Sequence, residues 1–537
     1  MSRPNILLLY ADQHRRDWLG CYGADWMHSP NIDALASEGV AYDRSYTHVP
    51  VCVAARYGLV TGQRCKVTGY YGNEARPMDA AIPVLPQMLS DAGYVAQAVG
   101  KMHFQPPRRH HGFDRLLLME ETPETREEDD YLLYLKSVGL GNIRHAHGVR
   151  HLLYHQPQRS IVPEEHMGTR WVADRSIEFL RAHRKRPFFL WSSWIMPHPP
   201  FNAAPRWAEY YLDKEMPAPV CSPDEALSEH VRELGYIGDV DFDDRERMRR
   251  VRQLYAAQIS FVDEQAGRVL DELERLGLAE NTLVVYSSDH GELLGDHYGW
   301  QKGNAYEGAI AVPMVARFPG RLRGGSRRSE FVDALDIFPT FLEAAGLPLP
   351  EGREYPGGSL LALDAGRDTR DRSHHYCEYA SGWWGRFVAV INERYKLAYY
   401  ARGGCEEMYD LKNDPGELVN LCLKGMDVDA QKAYGALRKR LIDFERAWGP
   451  DGLVDGKLPF HPSDGLSLRR NSQLPEWPHN VADDAERAAI NSVEEEVLAV
   501  TKDEPAVKLS KLDIDFWVSR GGPGEFAERL KKGDFSG

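Results

Sequence analysis

The sequence has few cysteines and lacks any apolar segment of transmembrane length. Its seven cysteines among 537 residues are odd in number and scattered, which is unlike a disulfide framework and favours a reducing, cytoplasmic setting. No apolar run reaches the roughly 20 residues that a membrane-spanning helix needs, so no membrane partner is expected. The first apolar run, Asn5–Tyr10, leads into Asp12 instead of a small-residue cleavage site, and it is therefore interpreted as a strand, not a signal peptide.

The sequence also has fewer basic than acidic residues. Lysine and arginine total 65 against 80 aspartates and glutamates, a formal net charge of −15. Nucleic acid is not an expected partner, because a phosphate backbone requires a basic face. A small anionic substrate stays compatible with this composition, since a local cationic pocket can lie inside an acidic surface.

The sequence does contain a regular alternation of strands and helices. Apolar runs typical of buried parallel strands are Ile6–Tyr10, Tyr94–Val99, Phe188–Trp194 and Thr282–Ser287. Helical patterns lie at Ser29–Glu38, Thr169–His183, Arg247–Leu276 and Ala334–Ala345. This alternation predicts an α/β sheet with helices on both faces.

The pattern changes after about residue 376, and three parts are predicted. The first, 1–375, is a catalytic α/β domain. The second, 376–450, is a small antiparallel sheet with a packed helix, formed by strands at Phe387–Ile391, Tyr395–Tyr400 and Glu407–Leu411 and a helix at Ala430–Trp448. The third, 451–537, has poor periodicity until Ala485–Val500 and is interpreted as an arm that wraps the body or contacts a second copy.

Polar and ionisable residues follow the carboxyl ends of all four predicted parallel strands. They are Asp12 and Gln13, Lys101 and His103, His198, and Asp289 and His290. Ligands of α/β sheets bind beyond this edge of the sheet. Four distant segments are therefore expected to meet at one site. By contrast, His110 and His111 are predicted to lie on the surface beside two arginines.

The sharpest local motif is Cys52-Val53-Ala54-Ala55-Arg56. A helix is predicted to begin at or near Cys52, where free amides and the helix dipole favour an anion. Spacing of four residues places Arg56 on the same helix face. A cysteine in this position is open to activation or modification. The alternative interpretation is a buried structural cysteine beside a surface arginine.

This motif resembles the cysteine signature of the type I sulfatases of the alkaline phosphatase superfamily, whose cysteine is converted to formylglycine. Further segments resemble that family in the same order: Pro4–Leu8 with Asp12-Gln13, Leu19–Gly23, Ser29–Asp33, Gly100–His103, Gly112–Asp114, Pro197–Pro200, Ser288–Glu292, Gly295–His297, Lys302-Gly303, Tyr306–Gly308, Glu407–Leu411 and Asn413–Glu417. The similarity covers most of residues 4–421. It implies a large mixed, mostly parallel sheet sandwiched by helices, as in alkaline phosphatase.

Three positions depart from the commonest family pattern. Ala54 stands where most members have proline, Gln13 replaces a second aspartate, and His290 stands where many have asparagine. Pairs like the last two also occur in phosphonate monoester hydrolases of the same superfamily, although these differ at the positions of Lys101 and His103. The residues around the oxyanion thus resemble those of sulfatases, whereas the predicted metal ligands combine features of sulfatases and of phosphonate monoester hydrolases.

A divalent metal site is predicted from the donor chemistry. Asp12, Gln13 and Asp289 offer oxygen ligands, which suit calcium, while His290 adds a nitrogen that manganese tolerates better. Calcium is favoured and manganese is the alternative. The modified Cys52 completes the expected ligand set.

The resemblance implies how the site would work. Hydrated formylglycine at position 52 attacks the sulfur, Arg56 fixes the diol, and Lys101 and Lys302 neutralise the oxyanion. His198, with Lys302, protonates the leaving group, and His103 deprotonates the diol. The implied partners are a small sulfated or related anionic ester and a formylglycine-generating enzyme during maturation. The long C-terminal arm makes a homo-oligomer the expected assembly.

Two other functions remain open at this point. One is a phosphonate monoester or phosphodiester hydrolase with the same site. The other is a catalytically silent binder of sulfated ligands that keeps Cys52 as a thiol. Loops within 104–165 and 200–246 are expected to face the substrate, with His151, His155, Trp207, Tyr210 and Tyr211 as candidate contacts.

Overall fold

The fold is described from a computed structural model. It covers residues 3–150, 156–225, 244–381 and 385–450, and from the remaining chain 452–454, 456–460, 477, 478, 481, 483–501 and 504. Most of the predicted C-terminal arm, as well as His151 and His155, lies outside the described residues.

Fourteen strands are found within the described ranges. In chain order they are β1 Asn5–Asp12, β2 Val40–Tyr46, β3 Val95–Gly100, β4 Arg115–Leu118, β5 Gln158–Arg159, β6 Phe188–Pro197, β7 Asn202–Ala203, β8 Thr282–Ser288, β9 Met314–Arg317, β10 Ser326–Asp333, β11 His375–Ser381, β12 Gly385–Ile391, β13 Tyr395–Tyr400 and β14 Cys405–Asp410.

The same ranges contain fifteen α-helices. They are α1 Pro30–Glu38, α2 Cys52–Thr61, α3 Cys65–Thr68, α4 Leu85–Asp91, α5 Asp130–Ser137, α6 Gly168–His183, α7 Pro205–Tyr210, α8 Arg245–Arg275, α9 Glu307–Ile310, α10 Ile337–Ala345, α11 Leu360–Asp364, α12 Leu421–Lys424, α13 Val428–Trp448, α14 Asp484–Ala488 and α15 Val493–Thr501. Short 3₁₀ turns lie at Arg16–Trp18, Gly20–Tyr22, Arg126–Glu128, Glu164–His166, Ala279–Asn281, Asp296–Tyr298 and Ala334–Asp336.

Eight strands form one large sheet in the order β10-β2-β9-β8-β1-β6-β3-β4. Only β9 runs antiparallel to its two neighbours, and the other five pairings are parallel. The predicted mixed, mostly parallel sheet is thereby confirmed. The central strand β1 pairs with β6 and β8, so its carboxyl end lies in the middle of the site edge.

Both faces of the sheet are covered, which explains why β1 reads as a continuous apolar run. Successive side chains of a strand point to opposite faces. Leu8 accordingly packs in one core with residues of α2, α4 and α10, whereas Leu7 packs in a second core with residues of α1, α6 and α8. Helices therefore bury apolar surface on each side of the sheet.

A second, four-stranded antiparallel sheet has the order β11-β12-β13-β14. Helix α13 packs on it, and Leu437 and Leu441 of α13 share a core with Val388, Val390 and Leu397. The predicted small sheet with a helix is confirmed. The domain boundaries at 375/376 and 450/451 remain predictions.

The sequence patterns missed mainly the edge strands. The segment Ser326–Asp333 alternates exposed and half-buried residues over its first half, because an edge strand needs no continuous apolar run. The helix predicted at Ala334–Ala345 begins as a 3₁₀ turn and is α-helical only from Ile337. His111, predicted to lie on the surface, is 7% exposed and packs against Tyr57 and Phe104.

Candidate active site

Four neighbouring strands deliver polar side chains to one edge of the large sheet. In the order β8, β1, β6, β3, these strands end at Ser288, Asp12, Pro197 and Gly100. Asp289, Gln13, His198 and Lys101 are the next residues along the chain. The polar side chains that sequence analysis placed at four strand ends thus meet in three dimensions.

Cys52 is the first residue of α2 and is 1% exposed. Its Sγ lies 3.1 Å from Nε2 of His290, 3.7 Å from Oδ1 of Asp12 and 3.8 Å from Nζ of Lys101. The extended backbone of Val51 leads directly into the helix. The thiol therefore lies at a helix N-terminus among charged groups, an environment that allows activation or modification.

Arg56 lies one turn further along α2 and is fully buried. Its Nε donates to Oδ2 of Asp289 at 2.9 Å, and Nη1 donates to the Lys101 carbonyl at 2.5 Å and to Oγ of Ser193 at 2.9 Å. The guanidinium therefore ties α2 to the ends of β8, β3 and β6. This arginine is not the surface residue that the alternative interpretation required.

Four of the five predicted metal ligands form a compact donor set. One ligand atom each of Asp12, Cys52, Asp289 and His290 lies within 4.8 Å of the other three, and all four residues are buried. Two carboxylates, an imidazole and a sulfur position suit a divalent cation. The residues present therefore fit the metal that the sequence predicts.

Gln13, the fifth predicted ligand, points away from this set. Its Oε1 accepts a hydrogen bond of 2.6 Å from Nζ of Lys302, and its amide nitrogen donates to Glu292. The backbone of Gln13 has a positive φ of 65° and donates its N–H to Asp289 at 3.0 Å. Gln13 therefore lies at the site, but its side chain is not part of the set of four donors.

His198 and Lys302 are in direct contact with each other. Nζ of Lys302 lies 3.1 Å from Nε2 of His198. Nδ1 of His198 lies 2.6 Å from the carbonyl of Pro199, so that nitrogen carries the ring proton and Nε2 faces the Lys302 ammonium as an acceptor. Both side chains face the cluster around Asp12, since one ligand atom of His198 lies within 4.8 Å of an Asp12 oxygen.

His103 is held differently from the other histidines. Its backbone φ is +55°, its N–H donates to Glu120 at 2.9 Å, and its buried Nδ1 has no hydrogen-bond partner. Burial and the nearby Lys101 ammonium lower the pKa of His103 to about 4. The ring is therefore neutral at physiological pH and able to accept a proton.

Electrostatics keep the central groups charged. Burial would raise the pKa of Asp289, but His290 and Arg56 outweigh it and hold that pKa below its usual range. Burial would lower the pKa of Lys101, but Asp12 and the Cys52 position outweigh it and raise that pKa. The site is thus a dense array of buried carboxylates and cations, which is typical of catalytic centres.

Sequence analysis missed Glu121, Glu292 and Ser193. Glu121 accepts from Lys101 and lies 3.4 Å from His198. Glu292 accepts from Gln13, and Ser193 accepts from Arg56. Glu292 was recognisable from its motif next to His290, whereas Glu121 follows a short edge strand that carries no strong sequence signal.

Of the candidate substrate contacts on the 200–246 loop, Trp207 and Tyr211 pack against α8, whereas Tyr210 is 44% exposed. Tyr211 is fully buried and its hydroxyl lies 2.7 Å from Oγ of Ser260. The indole of Trp207 donates to Glu264 at 3.0 Å. These aromatic residues anchor α7 on α8, and the structure gives no contact between them and the cluster.

The large mixed sheet, its small antiparallel companion and the polar cluster at the strand ends define an enzyme with the fold of the alkaline phosphatase superfamily. Comparison with known proteins specifies the group further. The sequence model of the Sulfatase family matches residues 4–347, and that of the N-sulphoglucosamine sulphohydrolase C-terminal region matches residues 295–446. The chain belongs to the Sulfatase family.

Individual relatives agree with this assignment. The chain is 31% identical over 480 residues to an arylsulfatase of Clostridium perfringens, covering 84% of this chain and 96% of that protein. It is 30% identical over 437 residues to a choline-sulfatase of Rhizobium meliloti, covering 78% and 82%. The solved phosphonate monoester hydrolase of Agrobacterium radiobacter superposes with a TM-score of 0.69 at 25% identity, covering 82% of this chain and 95% of that one.

Proposed function

We propose that this protein hydrolyses sulfate monoesters, in the manner of an arylsulfatase, with position 52 as the nucleophile. The observation that carries the proposal is the placement of Cys52 at the start of α2, with His290, Asp12 and Lys101 within 3.8 Å of its sulfur. Family membership supports the reaction class. The geometry supports the assignment of roles to individual residues.

The proposal includes conversion of Cys52 to formylglycine by a formylglycine-generating enzyme. Once hydrated, this group supplies a hydroxyl nucleophile in place of the thiol. The N-terminus of α2 favours negative charge at this position. Arg56 is placed to hold the modified side chain, because its guanidinium is fixed by Asp289, Ser193 and a backbone carbonyl.

A divalent cation held by Asp12, Cys52, Asp289 and His290 is the proposed cofactor, with calcium favoured over manganese. It would lower the pKa of a bound hydroxyl and neutralise oxyanion charge. Gln13 stays in the proposal as a further ligand, which must exchange its contact with Lys302 for one with the ion. The two acidic ligands and the closeness of the four donors support this assignment.

The remaining residues bind the sulfuryl group and move protons. Lys101 and Lys302 supply ammonium groups at the site and are proposed to bind the equatorial oxygens. The His198–Lys302 pair protonates the leaving oxygen: the Lys302 ammonium, 3.1 Å from Nε2 of His198, supplies the proton that this nitrogen passes on. His103 takes the proton whose removal expels sulfate, since its ring is neutral and its buried Nδ1 has no hydrogen-bond partner.

Replacement of Cys52 tests the nucleophile. Cys52→Ala is expected to lower turnover of an aryl sulfate by about 10³-fold or more, because covalent catalysis is lost while binding groups remain. Cys422→Ala, at a half-buried cysteine of the small sheet region, is the matched control. Peptide mass analysis around position 52 measures the modification, and circular dichroism checks the fold. Near-normal turnover of Cys52→Ala contradicts the assignment.

A phosphonate monoester or phosphodiester hydrolase is the second candidate. The solved phosphonate monoester hydrolase shares 25% identity with this chain, and sulfuryl and phosphoryl transition states present similar oxyanions to the same cations. Activity toward both ester classes is therefore expected. The ratio of kcat/KM for an aryl sulfate and the matching aryl phosphonate, measured on one preparation, decides which substrate is preferred.

A silent binder of sulfated ligands with an unmodified thiol is the third candidate. An aldehyde-reactive probe distinguishes it, because labelling at position 52 together with turnover is incompatible with that function.

A homo-oligomer and a cytoplasmic location complete the proposal. Among the described residues, no helix combines the length and apolar character required to cross a bilayer.

A further inference from the structure

Two adjacent glutamates follow the edge strand β4 and have different surroundings. Glu120 accepts hydrogen bonds from the backbone N–H groups of Met102 and His103 at 3.0 and 2.9 Å. It therefore shapes the loop after β3. Glu121 instead reaches the candidate site, where none of the roles described above uses it.

Glu121 contacts the groups that are proposed to bind sulfate and protonate the alcohol. Its Oε2 accepts from Nζ of Lys101 at 2.6 Å, and its Oε1 lies 3.4 Å from Nε2 of His198. Arg150 pairs with Oε1 as well. The Glu121 side chain is 8% exposed and that of Arg150 is 29% exposed, so the carboxylate is the less screened of these two charges.

A second metal site does not account for this carboxylate. Ligand atoms of Asp12, Glu121 and His198 do lie within 4.8 Å of one another. However, the Lys101 ammonium forms ion pairs with both Asp12 and Glu121. Two cations of the chain itself, Lys101 and Arg150, therefore already pair with these carboxylates.

Substrate binding disturbs this balance. In the proposed reaction, Lys101 turns to a sulfate oxygen and shares its charge between the ester and Glu121. The alcohol lies on the side of His198, since that ring protonates the leaving oxygen. Substituents of the alcohol therefore approach the carboxylate that Lys101 has partly released. Charges a few ångströms apart in such a buried pocket interact strongly.

We propose that Glu121 is a specificity-determining residue that selects the charge of the leaving alcohol. It favours sulfate esters whose alcohol carries an ammonium group, which replaces the contact given up by Lys101. It disfavours alcohols that carry a carboxylate or a second sulfate, because like charges repel at this distance. The inference rests on the proposed function, in which His198 faces the leaving oxygen.

A charge series of substrates tests the inference. Three aryl sulfates carry, at the same ring position, a trimethylammoniomethyl, a neopentyl or a carboxymethyl group. The wild-type protein is expected to prefer the cationic over the anionic ester. In Glu121→Gln the ratio of kcat/KM between these two esters is expected to fall at least tenfold. Comparing the same pair of esters in both proteins cancels their intrinsic reactivities.

Three further variants make the test specific. Glu127→Gln removes an exposed carboxylate from the same loop and is expected to keep the wild-type ratio, and Glu121→Asp is expected to retain most of it. Arg150→Gln removes a cation that pairs with Glu121, and it is expected to raise the ratio of kcat/KM for the cationic over the anionic ester. If Glu121→Gln does not fold, the Arg150→Gln result tests the role of Glu121. A ratio within twofold of wild type in the folded Glu121→Gln protein, or no rise in Arg150→Gln, overturns the inference.

Failure of the proposed function gives a different result. If wild-type protein with a confirmed aldehyde at position 52 does not hydrolyse even the neutral aryl sulfate, the sulfatase assignment fails. If it hydrolyses the neutral ester but shows no dependence on Glu121, only the role of this glutamate fails.

Discussion

The neighbours of Cys52 distinguish it from the other buried cysteines. Burial raises the pKa of the Cys65 and Cys377 thiols above the usual range, which makes them poor nucleophiles. Cys52 is equally buried, but an ammonium, an imidazole and a carboxylate lie within 3.8 Å of its sulfur. The chemistry of the residue therefore depends on its position at the start of α2 and not on burial alone.

At the residue scale, His198 offers a direct test of leaving-group protonation. His198→Asn is expected to lower kcat/KM for a phenyl sulfate by about 10²–10⁴-fold, because general acid catalysis contributes that range. The loss for a nitrophenyl sulfate is expected to be much smaller, since that alcohol departs without a proton. The measurement is kcat/KM across a series of leaving-group pKa values.

His110→Asn, at an exposed histidine, controls for the loss of an imidazole elsewhere. Equal losses for good and poor leaving groups would show that His198 binds the ester without donating a proton.

At the element scale, the region beyond both family models is tied to the body by buried glutamates. Glu496 of α15 accepts from the backbone N–H groups of Arg144 and His145. Glu504 accepts from Arg250 of α8 at 2.7 and 2.9 Å and from Arg159 of β5 at 2.6 Å. These contacts hold the segment that leads to Arg150, and so connect the C-terminal region with one wall of the candidate site.

Glu504→Gln is expected to loosen this C-terminal segment. The Glu504 and Arg250 side chains are 0% and 2% exposed, and breaking one partner of a buried ion pair costs about 3–5 kcal/mol. Hydrogen exchange measured over 493–501 is expected to accelerate in the variant. Glu495→Gln, at an exposed residue of α15, is the matched control. Unchanged exchange in Glu504→Gln would mean that the ion pair does not hold the segment in place.

At the scale of the whole molecule, one buried lysine joins the two sheets. Lys396 of β13 is 1% exposed and pairs with Glu417 and, at 3.2 Å, with Glu307 at the start of α9. Glu307 lies five residues after Lys302, so the small sheet supports the loop that carries a proposed sulfate-binding group. The two sheets are therefore expected to unfold together.

Lys396→Met tests this coupling. The variant leaves the buried Glu417 carboxylate without its cation, which costs about 3–5 kcal/mol. Calorimetry is expected to show the small sheet melting in a separate, earlier transition. Lys412→Met, at an exposed lysine following β14, is expected to melt like the wild type. A single unshifted transition in Lys396→Met would contradict the coupling.

The sequence by itself determined the central strands and the location of the site. Buried parallel strands such as β1 and β8 are continuous apolar runs, because both faces of the sheet are covered, and their carboxyl ends must meet at one edge. The start of α2 at Cys52 was likewise predicted from the sequence and is found in the structure. These features depend on short-range sequence patterns and on a general rule of α/β topology, so they can be predicted without the tertiary structure.

Tertiary structure decided what the patterns do not encode. Side chains of Gln13 and Glu121 are directed by Lys302 and Lys101, residues 289 and 20 positions away in the chain. His111 is buried because Tyr57 and Phe104 pack around it. Edge strands such as β4 and β10 exist through their pairing partners. Each of these outcomes depends on contacts between distant segments, and the free energy of such contacts is absent from any local stretch of sequence.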